Sequence, residues 1–181
     1  MQRSTFLIAL AAALLFAGCS SRTESDEPNG SGGNAETGAA VSTTSETPTA
    51  TIEQFGSIIA EHEGDWDEQV DTTKEDCLDP ATVPACVFGY MTLGLKADTI
   101  HIVLAGAHEA GNPTYIGEPP VEIEDLLADT EIAASKVNPA VEAFQKAGCT
   151  DPMDSACLTE YMAMDSAVDE LSRKLDAWAA Y

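Results

Sequence analysis

The sequence predicts an all-α domain, a four-helix bundle built of two disulfide-clipped helical hairpins. Two observations carry this expectation. Within residues 51–181, four stretches repeat their apolar side chains in steps of three and four, which places each set on one face of a helix. The same region holds an internal near-repeat: Cys77-Leu78-Asp79-Pro80 leading to Cys86, and Cys149-Thr150-Asp151-Pro152 leading to Cys157. Beyond the second cysteine of each copy the offsets agree, Tyr90-Met91 with Tyr161-Met162, Asp98 with Asp169 and Leu104 with Leu175. Ordered agreement of this kind points to a duplicated unit, one hairpin over 51–111 and the other over 120–181.

Taken in chain order, the first stripe is Ile52, Phe55, Ile59, His62, Trp66 and Val70. The second follows Cys86 as Val87, Tyr90, Leu93, Ala97, Ile100, Leu104 and Ala107. Its β-branched run from Thr99 to Leu104 would suit a strand, but the repeat assigns it to a helix. The third stripe is Ile123, Leu127, Ala134, Val137, Val141 and Phe144. Asn138-Pro139 falls inside it and predicts a kink or break, because proline lacks an N–H and crowds the preceding turn. The fourth is Leu158, Tyr161, Met164, Val168, Leu171, Leu175 and Trp178. Asp79-Pro80 and Asp151-Pro152 read as helix starts, a side-chain acceptor followed by a residue preset for the first turn. Gly111 and Gly148 read as helix ends, and Asn112 to Pro120, with its prolines, as the link between hairpins.

Composition narrows the function classes. Eight Lys plus Arg stand against 31 Asp plus Glu, a formal charge of -23. Phosphate recognition needs clustered basic residues, so nucleic acid is not a partner. Electrostatic docking on an anionic bilayer is disfavoured for the same reason.

The N-terminus supplies an address. Arg3 precedes an unbroken run of apolar and small residues from Phe6 to Ala17, too short for the roughly 20 residues that span a bilayer. It reads as a cleaved export signal, residues 1–18. The run ends in Leu15-Phe16-Ala17-Gly18-Cys19, which resembles the lipobox of bacterial lipoproteins, with Phe16 standing where the family usually has Leu. The resemblance implies cleavage before Cys19, diacylation of that cysteine, and attachment to the membrane through its acyl chains on the extracytoplasmic side. Cleavage would also remove Arg3, leaving the mature chain more acidic still. Residues 20–50 are mostly Ser, Thr, Gly, Asn, Ala and Glu, with Val41 the one large apolar side chain, so residues 19–50 read as a disordered tether.

Export bears on the remaining four cysteines, Cys77, Cys86, Cys149 and Cys157. In an oxidising compartment they point to disulfides. Counting allows three pairings. The short separations straddle helix-to-helix turns and favour Cys77–Cys86 and Cys149–Cys157. A Cys₄ zinc site is the alternative, but its usual two-to-four-residue intervals are missing.

Candidate chemistry is sparse. His62 sits on the apolar seam of the first helix beside Glu61 and Glu63, where an imidazole could ligate a metal or haem, although no Glu-x-x-His pair accompanies it. His101 and His108 lie two turns apart on their helix, too far to share an ion. Asp65, Asp67, Gln69, Asp71, Thr73 and Asp76 have the oxygen-ligand spacing of an EF-hand loop, but Val70 replaces the turn glycine and Asp76 the bidentate glutamate. That run therefore reads as a solvated acidic helix face. Met153, Met162 and Met164 could suit Cu(I), but read better as core filling. No nucleophile elbow, phosphate loop or zinc-protease signature occurs.

One asymmetry between the repeats stands out. The helix after Cys86 carries a second apolar set, Phe88, Met91, Leu95, Ile102 and Val103, which its counterpart mostly lacks. Burial in the most central helix is the expectation, and an apolar surface for a protein or small-molecule partner the alternative. The functional expectation is a membrane-anchored extracytoplasmic lipoprotein serving as a non-enzymatic binding or envelope-interaction module, without a cofactor. A metal- or haem-binding lipoprotein centred on His62 is the alternative.

Overall fold

The computed structural model describes residues 49–181, so the leader, Cys19 and most of the tether lie outside the described residues. Four helices follow in order: α1 (Ile52–Leu78), α2 (Val83–His108), α3 (Val121–Lys146) and α4 (Leu158–Asp176). Short 3₁₀ turns lie at Pro80–Thr82 and Ala177–Ala180, and an isolated bridge pairs Thr49 with Glu118. Helix α2 packs on both α1 and α3, α3 packs on α4, and α4 touches α1 more lightly. The fold is an all-α bundle of two clipped hairpins.

The apolar stripes become the core. Phe55, Ile59, Trp66 and Val70 of α1 meet Tyr90, Leu93, Ile100 and Leu104 of α2 inside the bundle. Ile123, Leu127, Val137 and Phe144 of α3, with Met164, Val168, Leu171 and Leu175 of α4, close it from the other side. The two buried tryptophans have their N–H groups paired: Trp66 Nε1 donates to Ser172 Oγ at 2.9 Å, and Trp178 Nε1 to Thr130 Oγ1 at 3.1 Å. Pairing avoids the desolvation cost of a lone buried donor.

Both disulfides form as the spacing predicts. Cys77 bonds Cys86 with Cα atoms 4.8 Å apart, clipping α1 to α2. Cys149 bonds Cys157 at a Cα separation of 5.7 Å, clipping the end of α3 to the start of α4. Each closes a short loop and so removes entropy from the unfolded chain, about 2–3 kcal/mol on the chain-entropy argument. Tyr90 and Tyr161, at equivalent offsets after Cys86 and Cys157, meet edge to face at 5.9 Å.

Several boundaries differ from expectation. Asp79 caps the 3₁₀ turn, accepting from the Ala81 N–H at 2.9 Å, and α2 starts only at Val83. Asp151 likewise holds a turn through the Met153 N–H, and Asp154 takes the Ala156 N–H, which delays α4 to Leu158. Gly111 is not the end of α2, which stops at His108; the glycine lies in the following turn with φ 93°. Gly148, with φ 76°, does end α3, letting the Cys149 N–H reach back to the Phe144 carbonyl. Ala50 is buried and donates its N–H to Glu118 at 2.9 Å, so the folded domain begins before residue 51.

The expected break at Asn138-Pro139 does not occur, for α3 runs through Pro139. Pro139 and Ser135 both face water, where the carbonyl freed by the proline can be hydrated. On the inner side Asn138 Nδ2 donates to Asp98 Oδ2 at 2.8 Å, tying this part of α3 to α2. The approach there is close, since a Cβ on Gly94 would lie 2.9 Å from Asn138 Oδ1. A Cβ on Gly89 would similarly press on the buried Thr73 of α1, 2.8 Å from its Cγ2.

Gly89 therefore sets how near α1 and α2 come. Gly89→Ala should destabilise the domain by about 1–3 kcal/mol, as overpacking does. Gly64→Ala, where no atom lies within 4 Å, should instead gain up to about 1 kcal/mol from helix propensity. Denaturant unfolding of the two variants measures both, and equal shifts would remove the close approach as the reason for the glycine.

Candidate functional site

Helix α2 presents a face that no other helix of the bundle has. Phe88, Leu95 and Ile102 are 68%, 66% and 68% exposed and recur every seventh residue, with Met91 beside them at 41%. The expectation that this second apolar set is core is therefore corrected: only Val103 is half-buried, and the others face solvent. The reason is geometric. Leu93, Ala97, Ile100 and Leu104 already fill the inner side of α2, and a helix between two neighbours still keeps an outer side.

The rest of that outer side is uncharged. Pro84, Ala85 and Thr99 are exposed on it and Thr92 is half-buried, four residues that sequence patterning did not single out. Thr92 and Thr99 donate their hydroxyls to the Phe88 and Leu95 carbonyls, both at 3.0 Å. Their polar atoms are thus already paired within the helix, which makes the face cheap to dehydrate. A groove of about 250 Å³ runs along its α3 edge, lined by Met91, Leu95 and Val141 and, on the α3 side, by the polar Asn138, Glu142 and Gln145. The signal available in the sequence was charge: α2 contains only Lys96 and Asp98, whereas α1 carries nine acidic residues and one basic one.

The candidate metal ligands are not brought together around His62. His62 is half-buried and lines a cleft of about 230 Å³ between α1 and α2 with Asp65, Lys96, Thr99 and Ile100. Lys96 Nζ stands 3.7 Å from Asp65 Oδ2 there, so a cation already answers that carboxylate. His108 Nε2 pairs with Glu131 Oε1 at 2.6 Å and ties α2 to α3, while His101 Nδ1 is buried without a protein partner. The four cysteines are consumed by disulfides, which answers the zinc alternative. Met164 is buried but Met153 and Met162 are exposed, so these methionines do not share one environment.

The EF-hand-like run is part of α1 rather than a loop. Thr73 is buried and donates to the Gln69 carbonyl at 2.7 Å, and Asp65, Asp67 and Asp71 point to solvent. Glu63, Asp67 and Asp176 do converge, with carboxylate oxygens within 4.8 Å of one another. Desolvation, then the neighbouring charges of Asp67 and Asp176, raises the Glu63 pKa above its ordinary value. Desolvation and then the Asp176 and Asp71 charges do the same to Asp67. Tyr90 is protonated over the whole working range. Burial, followed by its 2.6 Å bond to Asp165, drives its pKa far upward, so it is a fixed donor between α2 and α4.

Comparison of the chain with models of known families, with curated proteins and with solved structures gives no match. Among the described residues, no helix is long and apolar enough to cross a membrane.

Two predictions follow from this geometry. Leu95→Ala, at an exposed site, should change stability by no more than about 0.5 kcal/mol. Leu171→Ala, fully buried, should lose about 2–5 kcal/mol in the same denaturant titration. The second prediction concerns Asp67. A carboxylate whose pKa is raised on folding favours the fold while protonated, and that favour is lost as pH rises through the folded value. Asp67→Asn should therefore raise the melting temperature at neutral pH, with the gain shrinking as pH falls toward about 4, where carboxylates protonate. A gain independent of pH would mean that charge repulsion is not its source.

Proposed function

We propose that this chain is a lipid-anchored extracytoplasmic lipoprotein whose helical domain is a non-enzymatic binding module. The observation that carries the binding role is the exposed, uncharged face of α2 on a strongly acidic chain. Large apolar side chains in water at 66–68% exposure are costly unless something covers them in use. The clefts beside it are small, and in them Lys96 stands against Asp65 and Glu142 against Lys146; this arrangement supports contact over turnover. The anchor rests on the Leu15 to Cys19 segment, whose cysteine thiol is the acceptor that such an acylation needs.

In this reading Cys19 holds the domain at the membrane while the α2 face makes the specific contact. The acidic surface keeps the domain off anionic headgroups and out of non-specific association. Cell fractionation tests the anchor. The wild-type chain should sediment with membranes, and Cys19→Ala should lose the lipid label and leave the membrane fraction. Recovery of unlipidated, freely secreted wild-type protein as the main product would overturn the assignment.

A further inference from the structure

We propose that the α2 face is a self-association surface, on which a second copy of this chain packs its own α2 antiparallel to the first. The proposal rests on the reading of this face as a contact surface and on removal of the leader before Cys19.

Three observations select a second copy over other occupants. The first is spacing. Phe88, Leu95 and Ile102 recur every seven residues, with Met91 three positions after Phe88, and all four are exposed. Such a repeat is the seam that one helix offers another. It is centred on Leu95, so a two-fold axis there sets Leu95 against Leu95 of the second copy and Phe88 against Ile102 of the second copy. A two-fold contact requires this self-complementarity.

The second observation is charge. Helix α1 carries nine acidic residues against one basic, α3 six against two, and α4 five against two. Helix α2 carries one of each: Lys96 turns to Asp65 of α1, and Asp98, which stands after Leu95 where Met91 stands after Phe88, is turned aside to α3 by accepting from Asn138. For a chain of formal charge -23, α2 is the helix through which two copies can meet without opposing their carboxylates. The third is the chain's own supply of cover. Between Cys19 and Thr49 the sequence contains Val41 as its single large apolar side chain, too little to sheathe this ridge. The hydroxyls of Thr92 and Thr99, bonded to their own helix, leave no donor stranded when the seam closes.

The remaining carboxylates of the two copies still repel at longer range. Association should therefore strengthen as salt is raised, since screening at physiological salt acts beyond about 8 Å. A basic partner on the same face would respond in the opposite sense.

Disulfide cross-linking of the full chain in the membranes of expressing cells tests this, with the wild type as control for its native cysteines. Under mild oxidation Leu95→Cys should give a covalent dimer, increasingly so with added salt. Phe88→Cys alone should not, because its two copies would lie about 21 Å apart along the axis. Phe88→Cys co-expressed with Ile102→Cys should restore the dimer. Leu95→Asp, placing like charges at the axis, should lower the dimer fraction seen with Ile102→Cys and Phe88→Cys about tenfold or more.

Absence of a Leu95→Cys dimer, or a Phe88→Cys dimer formed as readily, would overturn the antiparallel pairing. A water-soluble maleimide then tells what has failed. If the Leu95→Cys thiol gives no dimer yet resists labelling, another occupant, such as the bilayer, covers the face and only the pairing is wrong. If it labels freely, the face is bare, and its reading as a contact surface falls with the pairing.

Discussion

Like-charge repulsion is the constraint to which the rest of this structure answers. With a formal charge of -23, helices can be packed only if carboxylates are kept in water or met by the few cations available. The five lysines of the described residues are all spent this way. Four of them bridge between helices: Lys74 to Asp169, Lys96 to Asp65, Lys136 to Glu170 and Lys174 to Asp129. Each exposed pair contributes at most about 1 kcal/mol, so their value lies in where they stand. Three of the four occupy seams at which acidic helices would otherwise face one another. Where no cation is at hand, Glu63 and Asp67 crowd against Asp176, and desolvation followed by the neighbouring charges raises the pKa values of Glu63 and Asp67.

Helix α2 resolves the same constraint differently. Without net charge, it can sit between α1 and α3, and Gly89 and Gly94 let it approach both neighbours closely. The duplicated motif thus builds two hairpins of unequal character. In the first, Val83-Pro84 starts the helix ahead of Cys86; in the second, the Asp154 turn holds it back until after Cys157. The two still agree at Tyr90 and Tyr161, which pack on each other, and at Leu104 and Leu175, both buried. On the reading proposed above, contact belongs to α2, the helix of the four without net charge, and is made at its outer surface.

Much of this architecture was legible in the chain. The four stripes, the paired cysteine motifs and the glycine after α3 are local signals, because helix periodicity, loop closure and positive φ each act over fewer than ten or so residues. Both disulfides and the fold class follow from them. Other features depended on distant partners. Pro139 was compatible with a helix because Asn138 found Asp98 and because the freed carbonyl faced water, neither of which the Asn-Pro pair announces. Glu63 and Asp67 met Asp176 only once α4 had returned beside α1.

By itself, then, the sequence determined the helices, their inward faces, the clips at both turns and the strongly acidic character of the chain. Only the tertiary structure decided what lies outside. A periodic pattern tells which residues share a helix face, but whether a second apolar face is covered depends on how many neighbours pack around that helix. Phe88, Leu95 and Ile102 read as core because apolar residues usually are. They stand in water because α1 and α3 flank α2 on its inner side and nothing within the described residues covers the outer one.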